Sequence, residues 1–365
     1  MTAAANGSAE DAILIFRIGS LGDTVMALPC FHHIARVFPD APRIVISDIP
    51  ASQKATSVEA VLGNSGLIQE VIYFPPRPRR IGDFTALRTK IRDVSACMLI
   101  YLADREIFST WRDFLFFRYC GIRNIIGAPV SPRLRHAEID PVSGVAESEA
   151  RRLARCIAPL GPIDLDDPAM WDLGLQPRER EVAEWALAPL EGVPFIAVNI
   201  GGKVAIKDWG DENWLVLLQL MARGGLSSHG LAFFGSADEF DRSSRLAAAW
   251  PGARLNLCGT LAARESAAAM ACADVFLGHD SGPMHLASAA GVPCVCMFGE
   301  FNNPNTWHPY GARHRIVHDM CGVRKIAPVA VYAKLRDTLA DSAVERDCRA
   351  RHSANAGCAI EPLAR

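Results

Sequence analysis

Short apolar runs alternate with stretches of helical periodicity along the first half of the chain. The apolar runs predict parallel strands, and they lie at residues 12–16, 43–47, 70–74 and 96–102. The helical stretches lie at residues 24–37, 52–62 and 147–160, the last of them ending at Gly161. Because strands and helices take turns in this order, the pattern predicts a doubly wound parallel sheet.

The same alternation begins again in the second half. Residues 161–180 are rich in Pro, Asp and Gly, which predicts a linker. Further strands are predicted at 195–202, 230–235, 253–259, 274–279 and 292–299, with helices at 178–189, 211–223, 238–249 and 262–272. We therefore expect an α/β protein with two Rossmann-like domains facing a central cleft. Their predicted bounds are 1–175 and 176–345, followed by a tail at 346–365.

The charge is unevenly distributed along the chain. The 365 residues carry a formal net charge of −2, which gives no general attraction to nucleic acid. Between Arg77 and Arg135, however, twelve Lys and Arg stand against five Asp and Glu. This local excess predicts that an anionic ligand is held there, unless it is merely a solvated face.

The cysteines and the amino terminus indicate the cellular compartment. The eleven cysteines include no C-x-x-C pair, and the first residues lack the basic and apolar parts of a signal peptide. No run approaches the ~18 apolar residues of a membrane span. We therefore expect a cytoplasmic protein with reduced thiols. A metal site stays open as an alternative for the late cysteines, which are Cys294, Cys296, Cys321, Cys348 and Cys358.

The segment "RIGSLGDTVMALP", residues 17–29, places an acid where the first strand turns into the first helix. A carboxylate on such a turn faces the carboxyl edge of the sheet, where α/β proteins bind ligands. Gly19 and Gly22 would let backbone and substrate approach closely. Asp23 is therefore a candidate catalytic group, although it could also cap the helix.

A second informative segment is "ADVFLGHDSGPMHLASAAGVPCVCMFGE", residues 273–300. Asp280, Ser281 and Gly282 form the turn after a strand, and Pro283 stands at the first helical position, where its missing N–H is not needed. The start of this helix is a candidate anion site, to which His285 could contribute, although an ordinary capped helix would look the same. Neither segment contains a nucleophile elbow, a G-x-G-x-x-G turn or a P-loop.

Together the two segments resemble those of glycosyltransferase family 9, the bacterial lipopolysaccharide heptosyltransferases. "NIGGKVAIKDW" (199–209), "FFGSADE" (233–239) and "LCGTLAARESAAAMACADV" (257–275) fit the family as well, so that the resemblance covers roughly residues 12–310 in the same order. It implies a GT-B fold with two Rossmann-like domains. The amino-terminal domain would bind the acceptor, and the carboxyl-terminal domain would bind a nucleotide sugar, typically ADP-heptose. Transfer would invert the anomeric centre and require no metal or other cofactor.

The resemblance also assigns roles to residues. Asp23 would be the general base, which takes the proton of the acceptor hydroxyl as its oxygen attacks. Lys207 would meet donor phosphate or sugar oxygens, and Glu239 would lie near the ribose. The diphosphate would bind at Asp280, Ser281, Gly282, Met284 and His285. Members often have Asn where this chain has His279, and the segment "FGEFNNPNTWHP" is one residue longer than the family pattern.

The expected partners are a nucleotide sugar, ADP-heptose by resemblance, and an anionic glycolipid acceptor. The acceptor would meet an arginine-rich surface made of Arg77, Arg79, Arg80, Arg133 and Arg135. Such an acceptor would bring the protein into peripheral contact with the inner face of the inner membrane. Two alternatives stay open, namely a sugar-nucleotide epimerase of the same fold and a nucleotide-sugar-binding protein without catalysis.

Overall fold

The first sheet has five parallel strands in the order β3-β2-β1-β4-β5. The computed structural model describes residues 12–50, 56–75, 81–202 and 204–357, and the side chains of Ile81 and residues 345–357 are not described. The strands are β1 Ile13–Phe16, β2 Arg43–Asp48, β3 Glu70–Phe74, β4 Met98–Tyr101 and β5 Asn124–Ile126. β1 and β4 are buried at every position because helices cover both faces of the sheet.

Among the described residues, seven α-helices accompany this sheet and complete what we call the first unit. They are α1 Leu21–Met26, α2 Leu28–Val37, α3 Val58–Leu62, α4 Ile81–Asp93, α5 Ile107–Tyr119, α6 Pro132–Arg135 and α7 Glu149–Cys156. The single helix predicted at 24–37 is thus two helices, and the first begins three residues earlier. They separate at Ala27 because Pro29 has no N–H to donate to the preceding turn.

The second sheet has six parallel strands in the order β11-β10-β9-β6-β7-β8. The strands are β6 Phe195–Val198, β7 Gly230–Phe233, β8 Arg254–Asn256, β9 Val275–His279, β10 Cys294–Phe298 and β11 Arg315–His318. The helices of this second unit are α8 Pro177–Leu187, α9 Asp211–Arg223, α10 Phe240–Ala247, α11 Ala263–Met270, α12 Gly282–Ala289 and α13 Pro328–Gly357. Two parallel sheets with helices on both faces confirm the predicted fold class.

The two units touch through helices of both. α1 packs on α12, and α11 packs on α3 as well as on α8. Arg264 of α11 is buried, and its guanidinium donates to the carbonyl oxygens of Val61, Leu173 and Gly174, each at 2.8 Å. The same guanidinium pairs with Glu179 at 2.6 Å, so one side chain joins α11 to the end of α3 and to the segment before α8.

No helix within the described residues has the length and apolar character needed to cross a membrane.

Candidate active site

A cavity of about 660 Å³ lies between α1 and α12. We call it the cleft cavity. Its walls come from turns that follow the carboxyl ends of strands in both sheets, as expected for ligand sites of α/β folds. The first unit contributes Ser20, Leu21, Gly22, Asp23, Thr56 and Ala60, and the second contributes, among others, Asn199, Gly201, Lys207, Ser236, Glu239, Asp280, Ser281, His285, Asn302 and Trp307.

Asp23 stands at the third position of α1, and its side chain is one-third exposed in the cleft cavity. Its Oδ2 accepts hydrogen bonds from the backbone N–H of Ser20 at 2.7 Å and from the Ser20 hydroxyl at 3.2 Å. Gly19 has φ +119°, and a Cβ there would lie 2.7 Å from the Asp23 Cγ. The carboxylate therefore caps the helix and faces the cavity at the same time, and the glycine makes room for it.

Arg17 lies directly behind Asp23 and was not identified from the sequence. Its side chain is buried, one guanidinium nitrogen donates to the Leu102 carbonyl oxygen, and Nη2 lies 3.8 Å from Asp23 Oδ1. Burial lowers the pKa of Arg17 from its usual value, whereas the Asp23 charge raises it. The available signal was a charged residue at the end of an otherwise apolar strand, because burying a cation requires a compensating anion.

The first turn of α12 faces the cleft cavity from the opposite side. Ser281 precedes the helix, but its hydroxyl donates to Asn199 Oδ1 at 2.8 Å and does not cap the helix. The N–H groups at the helix start are therefore left for another acceptor, and the helix dipole favours an anionic one. Gly282, beside Leu21 of α1, belongs to this wall.

Asp280 and Lys207 form an ion pair in the same wall. Lys207 Nζ lies 2.6 Å from Asp280 Oδ2 and 4.3 Å from the centre of the Phe301 ring. Asn302 Nδ2 donates to the same carboxylate oxygen at 2.5 Å. Phe301 and Asn302 were not identified from the sequence, although both belong to the "FGEFNNPNTWHP" segment that departs from the family pattern. A lysine in this position can exchange its carboxylate partner for a phosphate.

Glu239 lies in the cleft cavity, between two glycine turns. A Cβ on Gly201 would lie 1.9 Å from the Glu239 carboxyl carbon, and a Cβ on Gly235 would lie 2.0 Å from Oε2. The backbone N–H of Ser236 donates to this carboxylate at 3.3 Å. The two glycines thus leave a space that the Glu239 side chain fills. Its carboxylate is held at the cavity wall, where it can accept hydrogen bonds.

Two buried histidines lie near this wall. Burial lowers the pKa of His285 to about 4, although the Asp280 and Asp23 charges act in the opposite direction. His279 is fully buried next to Gly202, and its pKa is also lowered by burial. Both side chains are therefore neutral near neutral pH, and they add no positive charge to the cleft cavity.

Some of the predicted site residues lie elsewhere. The Met284 side chain is fully buried in the core and does not line the cleft cavity. Arg133 and Arg135 are on α6, outside this cavity, where Arg133 pairs with Glu138 at 3.4 Å. Arg77, Arg79 and Arg80 lie outside the described residues.

Three of the late cysteines are described, and two of them lie next to each other in one strand. Cys294 and Cys296 are buried in β10, whereas Cys321 is exposed. Across the part of the chain that the structure describes, no three His, Cys, Asp or Glu side chains are grouped to hold a metal ion. Cys348 and Cys358 have no described side chains.

Comparison with known proteins connects this cavity to a family. The sequence model of "Glycosyltransferase family 9 (heptosyltransferase)" matches residues 148–324. Lipopolysaccharide heptosyltransferase 1 of Pseudomonas aeruginosa is 27% identical over 320 residues, which are 82% of this chain and 81% of the relative. Residues 148–324 thus match glycosyltransferase family 9, which confirms the resemblance seen in the motifs. The protein is a glycosyltransferase, as its sequence motifs predicted.

Solved structures establish the fold of this glycosyltransferase. The family 9 glycosyl transferase of Veillonella parvula has a TM-score of 0.69 at 18% identity, covering 91% of this chain and 97% of its own. The ADP-heptose lipopolysaccharide heptosyltransferase II of E. coli has a TM-score of 0.67 at 19% identity, covering 90% and 99%. The predicted GT-B fold is confirmed.

Proposed function

We propose that this glycosyltransferase moves a heptose from ADP-heptose onto a lipopolysaccharide-core-type or other lipid-linked glycan, with inversion at the anomeric carbon. The names of the relatives support the donor, since one is an ADP-heptose heptosyltransferase and another a lipopolysaccharide heptosyltransferase. We further propose a cytoplasmic location with peripheral contact to the inner face of the inner membrane.

One observation carries the proposal, namely that the partly exposed Asp23 carboxylate and a site suited to an anion occupy opposite walls of the same cavity. His285 is close enough to both walls that the charges of Asp23 and Asp280 each raise its pKa. An acceptor hydroxyl near Asp23 and a diphosphate at the start of α12 would therefore enclose the sugar between them. Holding two reactants in this order removes much of the entropic cost of their encounter.

The proposed chemistry needs two functions from the protein. Asp23 takes the proton of the acceptor hydroxyl while its oxygen attacks the anomeric carbon. The bond between that carbon and the diphosphate oxygen breaks, and negative charge grows on the diphosphate. The free N–H groups of α12 and the Lys207 ammonium stabilise that charge because they are already oriented toward it. Glu239 is the proposed acceptor for the ribose hydroxyls.

We propose that the acceptor binds to residues 1–175 and the donor to residues 176–345. The excess of basic residues between Arg77 and Arg135 supports the first assignment, because an anionic glycolipid would be attracted there. Met284 contributes only backbone in this proposal, since its side chain is in the core. The proposed acceptor contacts are Arg77, Arg79, Arg80, Arg133 and Arg135, and the side chain of Arg133 is 80% exposed beside Glu138.

A transfer assay tests the proposal. The purified protein is incubated with a lipid-linked core acceptor and either ADP-heptose, ADP-glucose, GDP-mannose or UDP-glucose, and the products are identified by mass. We expect a heptosylated acceptor and free ADP with ADP-heptose as donor, and no glycosylated acceptor with the other three nucleotide sugars. Conversion of the nucleotide sugar without acceptor would instead identify an epimerase. Binding of ADP without any turnover would identify a binding protein.

A further inference from the structure

A stripe of apolar side chains runs along the solvent side of α5. Phe108 is 85% exposed, Leu115 62% and Tyr119 67%, while Trp111 beside them is 46% exposed. Their spacing of three and four residues places all four on one side of the helix. We call these four residues the α5 stripe.

The α5 stripe is not the side with which the helix packs on its own sheet. Thr110, Asp113 and Phe117 are buried on the opposite side, where Phe117 packs edge-on to Phe16 of β1. The helix thus presents an apolar surface both to the core and to solvent. Single exposed apolar residues are common on proteins, but a contiguous surface with aromatic members marks an interaction site.

Basic side chains flank the α5 stripe on both sides. Arg112 and Arg118 lie on either side of it on the same helix, and both are exposed. Arg88 of the neighbouring α4 stacks over the Tyr119 ring at 4.4 Å. The acid within this part of α5, Asp113, is buried and already paired with Arg105 and Arg112. Within the described stretch around α5, exposed acids, Asp104 and Glu106, occur only before the start of the helix, so the sides of the α5 stripe itself are flanked by arginines.

We propose that the α5 stripe and its flanking arginines dock this protein on an anionic phospholipid surface. Aromatic and aliphatic side chains with flanking arginines are the composition of helices that lie in the membrane interface, where rings enter the headgroup region and cations meet lipid phosphates. A second copy of this chain fits the surface less well, because the arginines of the two copies would repel each other.

The position of α5 connects membrane docking to the proposed active site. The helix follows β4, and the Leu102 carbonyl at the end of that strand accepts from Arg17, behind Asp23. A membrane in contact with α5 would therefore hold the first unit and its general base beside the lipid surface. This purpose rests on the proposed lipid-linked acceptor, but vesicle binding itself is measured without donor, acceptor or turnover.

Vesicle flotation with the full chain tests the docking. We expect binding to vesicles of mixed phosphatidylcholine and phosphatidylglycerol, and little binding to phosphatidylcholine alone. The triple variant Phe108→Ser, Leu115→Ser, Tyr119→Ser should lower partitioning at least tenfold. Arg112→Gln and Arg118→Gln should each lower it about fivefold, with the remaining binding weakened by salt. Trp185→Ser is the matched control, since Trp185 is 87% exposed on α8 of the second unit, and it should bind like wild type.

A second measurement uses tryptophan fluorescence with brominated lipids, which quench rings that enter the bilayer. Trp111→Phe should remove most of the quenching, whereas Trp185→Phe should leave it unchanged. Equal binding to uncharged vesicles, wild-type binding by the triple variant, or quenching that survives Trp111→Phe would overturn the proposal. A dimer in solution that the triple variant abolishes, without vesicle binding by wild type, would overturn it in favour of self-association.

Discussion

Gly22 of α1 lies against the imidazole ring of His285 of α12. A Cβ built on Gly22 would be 2.8 Å from His285 Cδ2 and 3.3 Å from Nε2. Gly22 has no positive φ, so the nearness of the ring, and not the backbone conformation, is what requires a glycine here. This contact fixes how closely the helix that carries Asp23 approaches the helix proposed to bind the diphosphate.

Gly22→Ala should force the two helices apart. The His285 ring is buried against Trp307 and has little room to turn away. We expect a loss of about 1–3 kcal/mol in the free energy of unfolding and a fall in kcat of ~10²-fold, because small misplacements of reacting groups are costly. Urea unfolding and steady-state kinetics measure both. In a His285→Ala background the stability loss should shrink, and strictly additive losses would contradict the contact.

Asp23→Asn should abolish proton transfer without disturbing the start of α1. The asparagine carbonyl oxygen can still accept from the Ser20 N–H, so the local structure is kept. We expect kcat to fall by about 10²–10⁴-fold, with ADP affinity measured by calorimetry nearly unchanged. Ser20→Ala is the control, because it removes only the longer bond to the carboxylate. Turnover of the asparagine variant within a few-fold of wild type would mean that Asp23 is structural.

Lys207→Ala should weaken binding of the diphosphate product. The variant removes the ammonium and leaves the Asp280 carboxylate, which repels an anion. We expect the Kd for ADP to rise about tenfold or more, because charge-assisted hydrogen bonds to phosphate are strong. The exposed Lys325 serves as control and its alanine variant should bind normally. Unchanged affinity in Lys207→Ala together with a loss in Lys203→Ala would assign the role to Lys203 instead.

The buried His285 should make stability depend on pH. Its pKa is about 4 in the folded protein against an ordinary value of 6.5, so the unfolded chain takes up the proton first as the pH falls. The stability contributed by the neutral His285 ring is fully present above about pH 6.5. It is lost as the pH falls toward 4, and the free energy of unfolding decreases by about 1.4 kcal/mol per pH unit within that window. Urea unfolding between about pH 7 and pH 5 should give a shallower slope for His285→Gln. An identical slope would contradict the burial of a neutral ring.

Arg264→Gln should destabilise the contact between the two units. It removes three hydrogen bonds to backbone carbonyls and leaves the mostly buried Glu179 carboxylate without its partner. We expect the free energy of unfolding to fall by about 3–5 kcal/mol, the usual cost of breaking a buried pair. Arg180→Gln, at an exposed position on α8, should change it little. A loss no larger than that of the control would show that the pair contributes nothing.

The elements that could be predicted from the sequence are those whose apolar runs are bounded by clear turn residues. β3 has the predicted bounds because its apolar run stands between clear turn residues. α5 was missed because apolar side chains lie on both its buried and its solvent side, so its sequence has no amphipathic period. β11 was missed because its apolar run is only two residues long, Ile316 and Val317.

Among the site residues, too, some could be predicted from the sequence and others could not. Asp23 and Asp280 were accessible to sequence reasoning, because their positions after predicted strands already bring them to the edge of a sheet. Arg17 and Asn302 were not, because their importance comes from Leu102 and Asp280, which are distant along the chain. Partners of that kind are fixed by tertiary packing, which no local pattern contains.

The ion pair between Lys207 and Asp280 also bears on how quickly the nucleotide product is released after each turnover. On the proposed assignment of the donor site, the phosphates of the product nucleotide and the Asp280 carboxylate would compete for the Lys207 ammonium group. The Asp280 carboxylate is fixed to the chain and lies 2.6 Å from the Lys207 ammonium, so it would pair with the lysine again once the phosphates leave. In many enzymes product departure limits the rate. By competing for Lys207, the Asp280 carboxylate would lower the affinity for donor and product alike and would speed product release.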